Sequence, residues 1–228
     1  MELTEKTMQV LKNYATINPN IVITEGNVIK TVSEAKNVLS SVELDVSFPQ
    51  TFGIYELSEF LSVLSLVDSP RLKFEDTYVL VTDSAGRSRI KYFYSDIYML
   101  TTPSKDIIMP ETEVKFTLDT DTLSRLKRAA SVLGHDEISI TNEGKRGSSV
   151  KLTVVDKDDA TSNSFFSFVE GEFEEGVDFN FIMNVNNLKI VNEDFQVGIS
   201  KKLISNFKSL QSPIEYFIAL EKSSTYGE

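Results

Sequence analysis

TLSRLKRAASVLG, residues 122–134, combines the apolar spacing of a helix with a concentration of positive charge. At 100° per residue, its larger apolar side chains share a single face. These residues are Leu123, Leu126, Ala130 and Leu133, with Ala129 near the edge of the face. The opposite face and its flanks carry Ser124, Arg125, Lys127, Arg128 and Ser131. Asp119 is a typical N-cap and Gly134 a typical helix end, so the pattern predicts an amphipathic helix with a cationic outer face.

The charge of this helix contrasts with the rest of the chain. The 228 residues include 23 basic and 34 acidic side chains, which give a formal net charge of −11. An acidic surface opposes non-specific nucleic-acid binding, but exposed charges further apart than about 8 Å interact weakly at physiological salt. A solvated helix face is the alternative interpretation, although such a face would normally carry acidic partners at i, i+4. The absence of acids from residues 122–134 favours a nucleic-acid partner.

The order of elements predicted around this helix occurs twice along the chain. Residues 3–18 have a helical period that places Met8, Leu11 and Ala15 on one face, a hairpin follows around Gly26, and residues 55–67 form a second apolar-striped helix before three short strands. After the helix at 122–134 come a hairpin, further strands, a short helix over residues 185–191 and closing strands. The repeated order favours a duplicated α+β fold over one continuous α+β domain.

The domain organisation follows from a connector between the two repeats. Residues 103–113 contain Pro103 and Pro110 and lack a regular period, which is typical of a linker. We therefore predict an N-terminal domain over 1–102 and a C-terminal domain over 114–228. The connector also holds Ile107, Ile108 and Met109, which either pack at the domain junction or border a groove for a partner peptide.

Several classes of function lack the residues that they need. The chain has no cysteine and a single histidine, His135, so it has no disulfide framework and no Cys–His zinc site. His135 follows the predicted helix end, where a structural role is expected, and no carboxylate pair is marked as catalytic. No apolar run reaches the length of a membrane span and the N-terminus does not resemble a secretory signal, so we expect a cytoplasmic location.

A glycine-containing segment also carries positive charge. GKRGSS, residues 144–149, lies between two predicted strands and lacks the spacing of a phosphate-binding loop. We interpret it as a hairpin turn whose Lys145 and Arg146 could touch a phosphate backbone.

Four blocks of sequence resemble one known family. They are LKNYATIN (11–18), IYELSEFLSVLSLV (54–67), FNFIMNVNNLKI (179–190) and YFIALEKSST (216–225). In order, spacing and overall chain length they are similar to the DNA polymerase sliding clamp of T4-type bacteriophages. The similarity extends from the first helix to the C-terminus and is weaker in the connector and in the strands between the blocks.

The resemblance implies a DNA-clamp fold of two similar α+β domains, with helices packed on antiparallel sheet, in a ring-forming homotrimer. It implies a clamp that encircles duplex DNA without reading sequence and tethers the phage DNA polymerase for processive synthesis. An ATP-driven clamp loader would place it on DNA, and late-transcription factors and host RNA polymerase would be further partners. The location would be the cytoplasm of the infected bacterial host, without a membrane partner, a cofactor or a catalytic residue.

The resemblance also implies which residues face DNA. These are Lys6, Lys12, Arg125, Lys127, Arg128 and Lys189. Glu2 and Glu5 dilute the positive charge of the first helix. A partner groove would be bordered by Ile107, Ile108 and Met109. The alternative function is a trimeric phage structural or assembly protein without nucleic-acid binding, and a carboxylate-using enzyme is the other competing class.

Overall fold

The computed structural model describes residues 1–103, 105, 107–142, 149–159 and 161–227, and the chain divides into two compact units. Unit 1 is Met1–Asp106 and unit 2 is Ile107–Glu228, so the boundary falls within the stretch predicted as a connector. Both units combine helix with antiparallel sheet. No helix in the described part of the chain is long and apolar enough to span a membrane.

Unit 1 contains two helices and seven strands in the part that is described. In chain order they are α1 (Glu5–Ile17), β1 (Ile21–Ile23), β2 (Gly26–Val32), β3 (Val38–Phe48), β4 (Phe52–Ile54), α2 (Leu57–Ser65), β5 (Arg71–Phe74), β6 (Tyr78–Thr82) and β7 (Arg89–Phe93). A single 3-10 turn, Ile97–Met99, follows. The three short strands predicted after the second helix are confirmed as an antiparallel sheet in the order β5-β6-β7.

The predicted hairpin around Gly26 is wrong, because β1 pairs with β4 and β2 pairs with β3. The turn that joins β2 to β3 explains the difference. The Ser33 hydroxyl accepts hydrogen bonds from the backbone N–H groups of Asn37 and Val38, at 3.2 and 3.1 Å. This side-chain-capped turn pairs β2 with the strand that follows it.

The buried faces of the unit 1 helices agree only partly with prediction. Leu11 of α1 is buried as expected, but Met8 and Ala15 are half-buried. Tyr14 is not part of the predicted apolar face, yet it is fully buried and its hydroxyl lies 3.5 Å from the carbonyl oxygen of Ile29. The large aromatic side chain therefore turns α1 so that Tyr14, not Ala15, enters the core. The predicted apolar stripe of α2 is buried at Leu57, Phe60 and Leu64.

Unit 2 contains one α-helix and nine strands within its described residues. The elements are β8 (Val114–Leu118), α3 (Thr120–Leu133), β9 (Glu137–Asn142), β10 (Ser149–Val155), β11 (Phe165–Phe173), β12 (Phe179–Asn184), β13 (Phe195–Ser200), β14 (Ile204–Ser209), β15 (Ile214–Ala219) and β16 (Thr225–Tyr226). Within the unit, the strands are ordered β16-β12-β9-β10-β11-β8-β13-β14-β15. The hairpin predicted over β9 and β10 is confirmed, whereas its turn at 143–148, with Lys145 and Arg146, lies outside the described residues.

The short helix predicted over residues 185–191 is wrong, since only Val185–Asn187 forms a 3-10 turn. Leu188 and Ile190 are both buried. A spacing of two residues does not fit one face of a helix, and the backbone of Leu188, with φ −76° and ψ 49°, has left the helical region. The strands β8 and β16 were not predicted, and β16 pairs antiparallel with β12.

The internal pairing of the two units follows one plan. In each unit, the strand after the first helix pairs with the strand before the second helical element, as β1 with β4 and β9 with β12. Three consecutive strands then form a meander in each unit, β5-β6-β7 and β13-β14-β15. The segment before the first helix joins the first meander strand, through a Glu2–Arg71 bridge in unit 1 and through β8–β13 pairing in unit 2. The expectation of two similar α+β domains is therefore confirmed.

Candidate DNA-facing surface

The orientation of α3 is fixed by its caps and its buried face. The Asp119 carboxylate accepts a hydrogen bond from the backbone N–H of Thr122 at 2.6 Å, and Gly134 ends the helix with φ +72°, as predicted. Leu123, Leu126 and Ala130 are buried where α3 packs on β10 and β11. The opposite arc of the helix is consequently exposed, and this arc carries its basic residues.

The expectation that this helix lacks an acidic partner is wrong. The helix begins at Thr120, before the segment 122–134, and so includes Asp121. The Asp121 carboxylate lies 3.0 Å from the guanidinium of Arg125, four residues later. Residues 122–134 do not include the first turn of the helix, where the helix dipole favours acidic residues.

The three cations of α3 occupy different environments. Lys127 is half-buried at the edge of the packed face, and this burial lowers the pKa of its ammonium group. Arg125 is exposed but ion-paired. Arg128 is exposed and makes no ion pair or hydrogen bond with any residue described here. Arg128 is therefore the most accessible of the three for a phosphate group.

The first helix of unit 1 presents Lys6 and Lys12 on exposed positions. Glu2, expected to dilute this charge, instead forms an ion pair of 2.9 Å with Arg71 on β5. Glu5 is exposed in the first turn of α1 and remains a diluting charge.

Two acidic features accompany these lysines in unit 1. Asp45 accepts hydrogen bonds from the hydroxyls of Thr4 and Thr7 at 2.9 and 3.0 Å. These bonds, led by that from Thr4 and assisted by the charge of Lys6, lower the pKa of Asp45. Helix α2 contains Glu59 and no basic residue, so the positive charge of unit 1 is confined to α1 among the described helices.

Lys189 is exposed in an irregular segment that follows the 3-10 turn of unit 2. This segment lies next to the exposed face of α3, because the Ser124 hydroxyl is 3.5 Å from the side-chain oxygen of Asn192. Asn192 thus places the segment that contains Lys189 beside α3. Lys189 could face DNA from this irregular segment, so the predicted role does not depend on the helix that was predicted over residues 185–191.

Apolar side chains of the connector are exposed at the start of unit 2. Ile107 and Ile108 are exposed, the latter to 89%, and Met109 is half-buried. Sequence reasoning missed a second exposed apolar group, the 3-10 turn of unit 1, where Tyr98 is 92% exposed. The only sequence signal for this turn is Asp96, whose carboxylate accepts from the backbone N–H of Tyr98.

The structure gives His135 a local contact. A ring nitrogen lies 2.7 Å from the carbonyl oxygen of Asn163, which ties the end of α3 to the loop before β11. In the described ranges, no group of three or more His, Cys, Asp and Glu residues is arranged to hold a metal ion.

Solved structures with the same architecture define the class of protein. A. fulgidus PCNA, solved with the C-terminal region of FEN-1 bound, aligns with a TM-score of 0.69 at 15% identity over 96% of each chain. The PCNA2–PCNA3 complex from Sulfolobus tokodaii aligns with a TM-score of 0.68 at 15% identity, over 94% of this chain and 95% of that chain. Entamoeba histolytica Proliferating Cellular Nuclear Antigen gives 0.65 at 17% identity over 94% of each chain. The protein has the DNA-clamp fold.

Sequence relatives then identify the family. A DNA polymerase processivity factor profile matches residues 4–96, and a profile of the gp45 sliding clamp, C terminal, matches residues 115–222. The sliding clamp of Vibrio phage KVP40 is 32% identical over 225 residues, covering 97% of this chain and 99% of the relative. The sliding clamp of Enterobacteria phage T4 is 30% identical over 236 residues, covering 99% of each.

The chain belongs to the sliding clamp family of T4-type phages, whose members are processivity factors for DNA polymerase and not enzymes. The resemblance seen in the sequence is confirmed. Family membership also removes the two competing classes, the phage structural protein and the carboxylate-using enzyme.

Proposed function

We propose that this sliding clamp encircles duplex DNA as a closed ring of three subunits and tethers the phage DNA polymerase to its template. The observation that carries this proposal is α3, which buries leucine and alanine against the sheet and presents cations with small neighbours outward. Arginine and lysine contact phosphates without reading bases. A polymerase held by a ring around DNA stays at high effective concentration near the primer end.

The proposed DNA-facing residues are the same six that were predicted from the sequence. They differ, however, in how accessible each is to a phosphate group. Arg128, Lys6 and Lys12 are exposed, and Lys189 lies in a segment beside α3. Arg125 is held by an ion pair and Lys127 is half-buried, so both have weaker direct contact with phosphate. Glu5 and Asp121 are acids on the same helices, and most other acidic residues are assigned to surfaces that DNA avoids.

Two strand edges provide the contacts that close the ring. Within the described residues, β7 pairs on one side only, with β6, and residues 165–170 of β11 pair only with β10. An unpaired edge readily accepts another strand. The edge on unit 1 and the edge on unit 2 differ, so their pairing joins subunits head to tail, as a closed ring requires.

The side chains of the two edges are complementary. The exposed residues of β7 include Arg89, Lys91 and Phe93, whereas the open part of β11 exposes Phe166, Phe168 and Glu170. Aromatic contact supplies apolar burial, and the opposite charges align one subunit with the next.

A closed ring needs assistance to reach DNA that has no free end. We therefore assign a clamp loader as a partner, because a subunit interface must open and close around the duplex.

The family resemblance implies further partners, namely late-transcription factors and host RNA polymerase. The site of action is the cytoplasm of the infected bacterial host. The domain division is 1–102 and 114–228, with residues 103–113 as the connector and Ile107, Ile108 and Met109 bordering a groove for partner peptides.

Charge reversal on α3 tests the DNA contact. The triple variant Arg125→Glu, Lys127→Glu and Arg128→Glu should shorten primer-extension products made by polymerase, loader and clamp on a primed circle, because the helix then repels phosphate. Trimer mass should be unchanged. A matched control reverses three exposed lysines on the strands and a turn of unit 2, Lys115, Lys202 and Lys208, and should extend primers as the wild type does. Equal product lengths from the wild type and the α3 variant would contradict the proposed contact.

A further inference from the structure

The ion pair between Asp121 and Arg125 stands on the surface proposed to face DNA. Asp121 is 78% exposed and Arg125 50% exposed, with 3.0 Å between carboxylate and guanidinium. Exposed pairs of this kind add little to folding stability. The helix dipole favours an acid in the first turn of α3, but it does not require that acid to pair with a cation of the outer face.

The spacing places this acid among the phosphate-binding candidates. Asp121, Arg125 and Arg128 stand at i, i+4 and i+7, which is one face of an α-helix. A guanidinium has a planar fork of donors that fits either a carboxylate or a phosphate. Asp121 consequently competes with DNA for the donors of Arg125 and adds a negative charge where phosphate approaches.

We propose that Asp121 is a positioning residue that holds Arg125 along the helix and keeps the contact with duplex DNA weak. The inference rests on the proposed function, since it concerns the same DNA-facing surface. A protein that must slide is slowed by strong phosphate contacts, and each phosphate neutralised adds about 0.9 to the slope of log affinity against log salt. Asp121 therefore weakens one phosphate contact, that of Arg125, in each subunit.

The test measures binding of the clamp to a short linear duplex, which it can thread without a loader, over a range of salt concentrations. Asp121→Asn should tighten binding at low salt and steepen the salt slope by up to about 0.9 for each Arg125–phosphate contact that forms. On long DNA, the same variant should diffuse more slowly than the wild type. Asp121→Glu restores a carboxylate within reach of Arg125 and should behave as the wild type does.

Two further variants separate a specific effect from a change in net charge. Glu175→Gln removes one exposed acid from a turn of unit 2 away from α3 and should leave the slope unchanged. In an Arg125→Gln background, Asp121→Asn should lose the larger part of its effect, because the cation that it releases is absent. Circular dichroism should show an unchanged helical content.

The outcomes are distinct. A wild-type slope for Asp121→Asn, or an equal increase with and without Arg125, would overturn the role of Asp121 and leave the proposed function standing. If the wild type shows no salt-dependent binding to the duplex and is not retained on circular DNA after loading, the proposed function fails and the role of Asp121 fails with it.

Discussion

The basic residues of α3 show how environment separates side chains that are neighbours in sequence. The helical wheel correctly predicted the burial of Leu123 and Leu126, because burial follows the 3.6-residue period, whereas Leu133 at the helix end is only half-buried. It did not predict the Asp121–Arg125 pair, since Asp121 lies before residues 122–134, nor the burial of Lys127 at the edge of the packed face. These depend on where the helix starts and on how it sits against the strands.

Asp194 gives a residue-scale prediction for acid stability. Its carboxylate accepts hydrogen bonds from the hydroxyl and backbone N–H of Thr120, both at 2.7 Å, and from the amide of Gln211 at 2.8 Å. Chiefly through the Thr120 hydroxyl, these bonds lower the pKa of Asp194 in the folded state. The unfolded pKa is near 3.9, so the stabilisation is present above that pH and is lost as the pH falls through the folded pKa.

Asp194→Asn removes this titration, so the free energy of unfolding should fall less between pH 7 and pH 3 than in the wild type. Urea denaturation across that range measures the difference. Asp158→Asn, at an exposed turn, is the control and should keep the wild-type dependence. If the free energy of unfolding of Asp194→Asn falls as much as that of the wild type between pH 7 and pH 3, the carboxylate is not linked to folding in this way.

At the scale of elements, the helices were more predictable than the strand pairings. Each α-helix has an apolar period, and the predicted Asp119 cap and Gly134 end of α3 were both correct. The β1–β4 pairing joins residues separated by two intervening strands, and no local pattern specifies it. The irregular segment after β12 was mistaken for a helix because its apolar residues permit either reading until their burial is known.

The connector provides an element-scale prediction. Ile107 and Ile108 are exposed apolar residues at the start of unit 2, and burying them against a peptide would be favourable. Changing both to serine should weaken binding of a polymerase C-terminal peptide by at least tenfold, measured by fluorescence polarisation. Leu210→Ser, at another exposed apolar position of unit 2, should bind normally. Wild-type affinity in a folded double variant would place the peptide site elsewhere.

At the scale of the whole molecule, sequence reasoning recovered the duplicated α+β plan but no subunit contacts. The duplication was visible because both halves repeat the same order of helices and strands. The open edges could not be found in this way, since an edge is defined by which strand lacks a neighbour. That property emerges only from the order of the strands in the sheets.

The two edges predict how the ring can be broken and repaired. Arg89→Glu with Lys91→Glu should reduce the trimer fraction, because like charges would then face Glu170 of the neighbouring subunit. Adding Glu170→Lys to the same chain restores an opposite charge and should raise the trimer fraction again. Light scattering reports three times the 25.6 kDa subunit mass for the ring. If the first double variant stays fully trimeric, the charges of these edges do not set the interface.

Topological linkage to DNA is the central claim, and retention on circular DNA tests it most directly. Purified protein is incubated with clamp loader, ATP and nicked circular duplex, separated from free protein by gel filtration, and the circle is then cut once. The account predicts that the clamp elutes with the intact circle in moderate salt and is released after linearisation, because a ring slides off a free end. Equal retention on circular and linear DNA, or no retention on either, would contradict it.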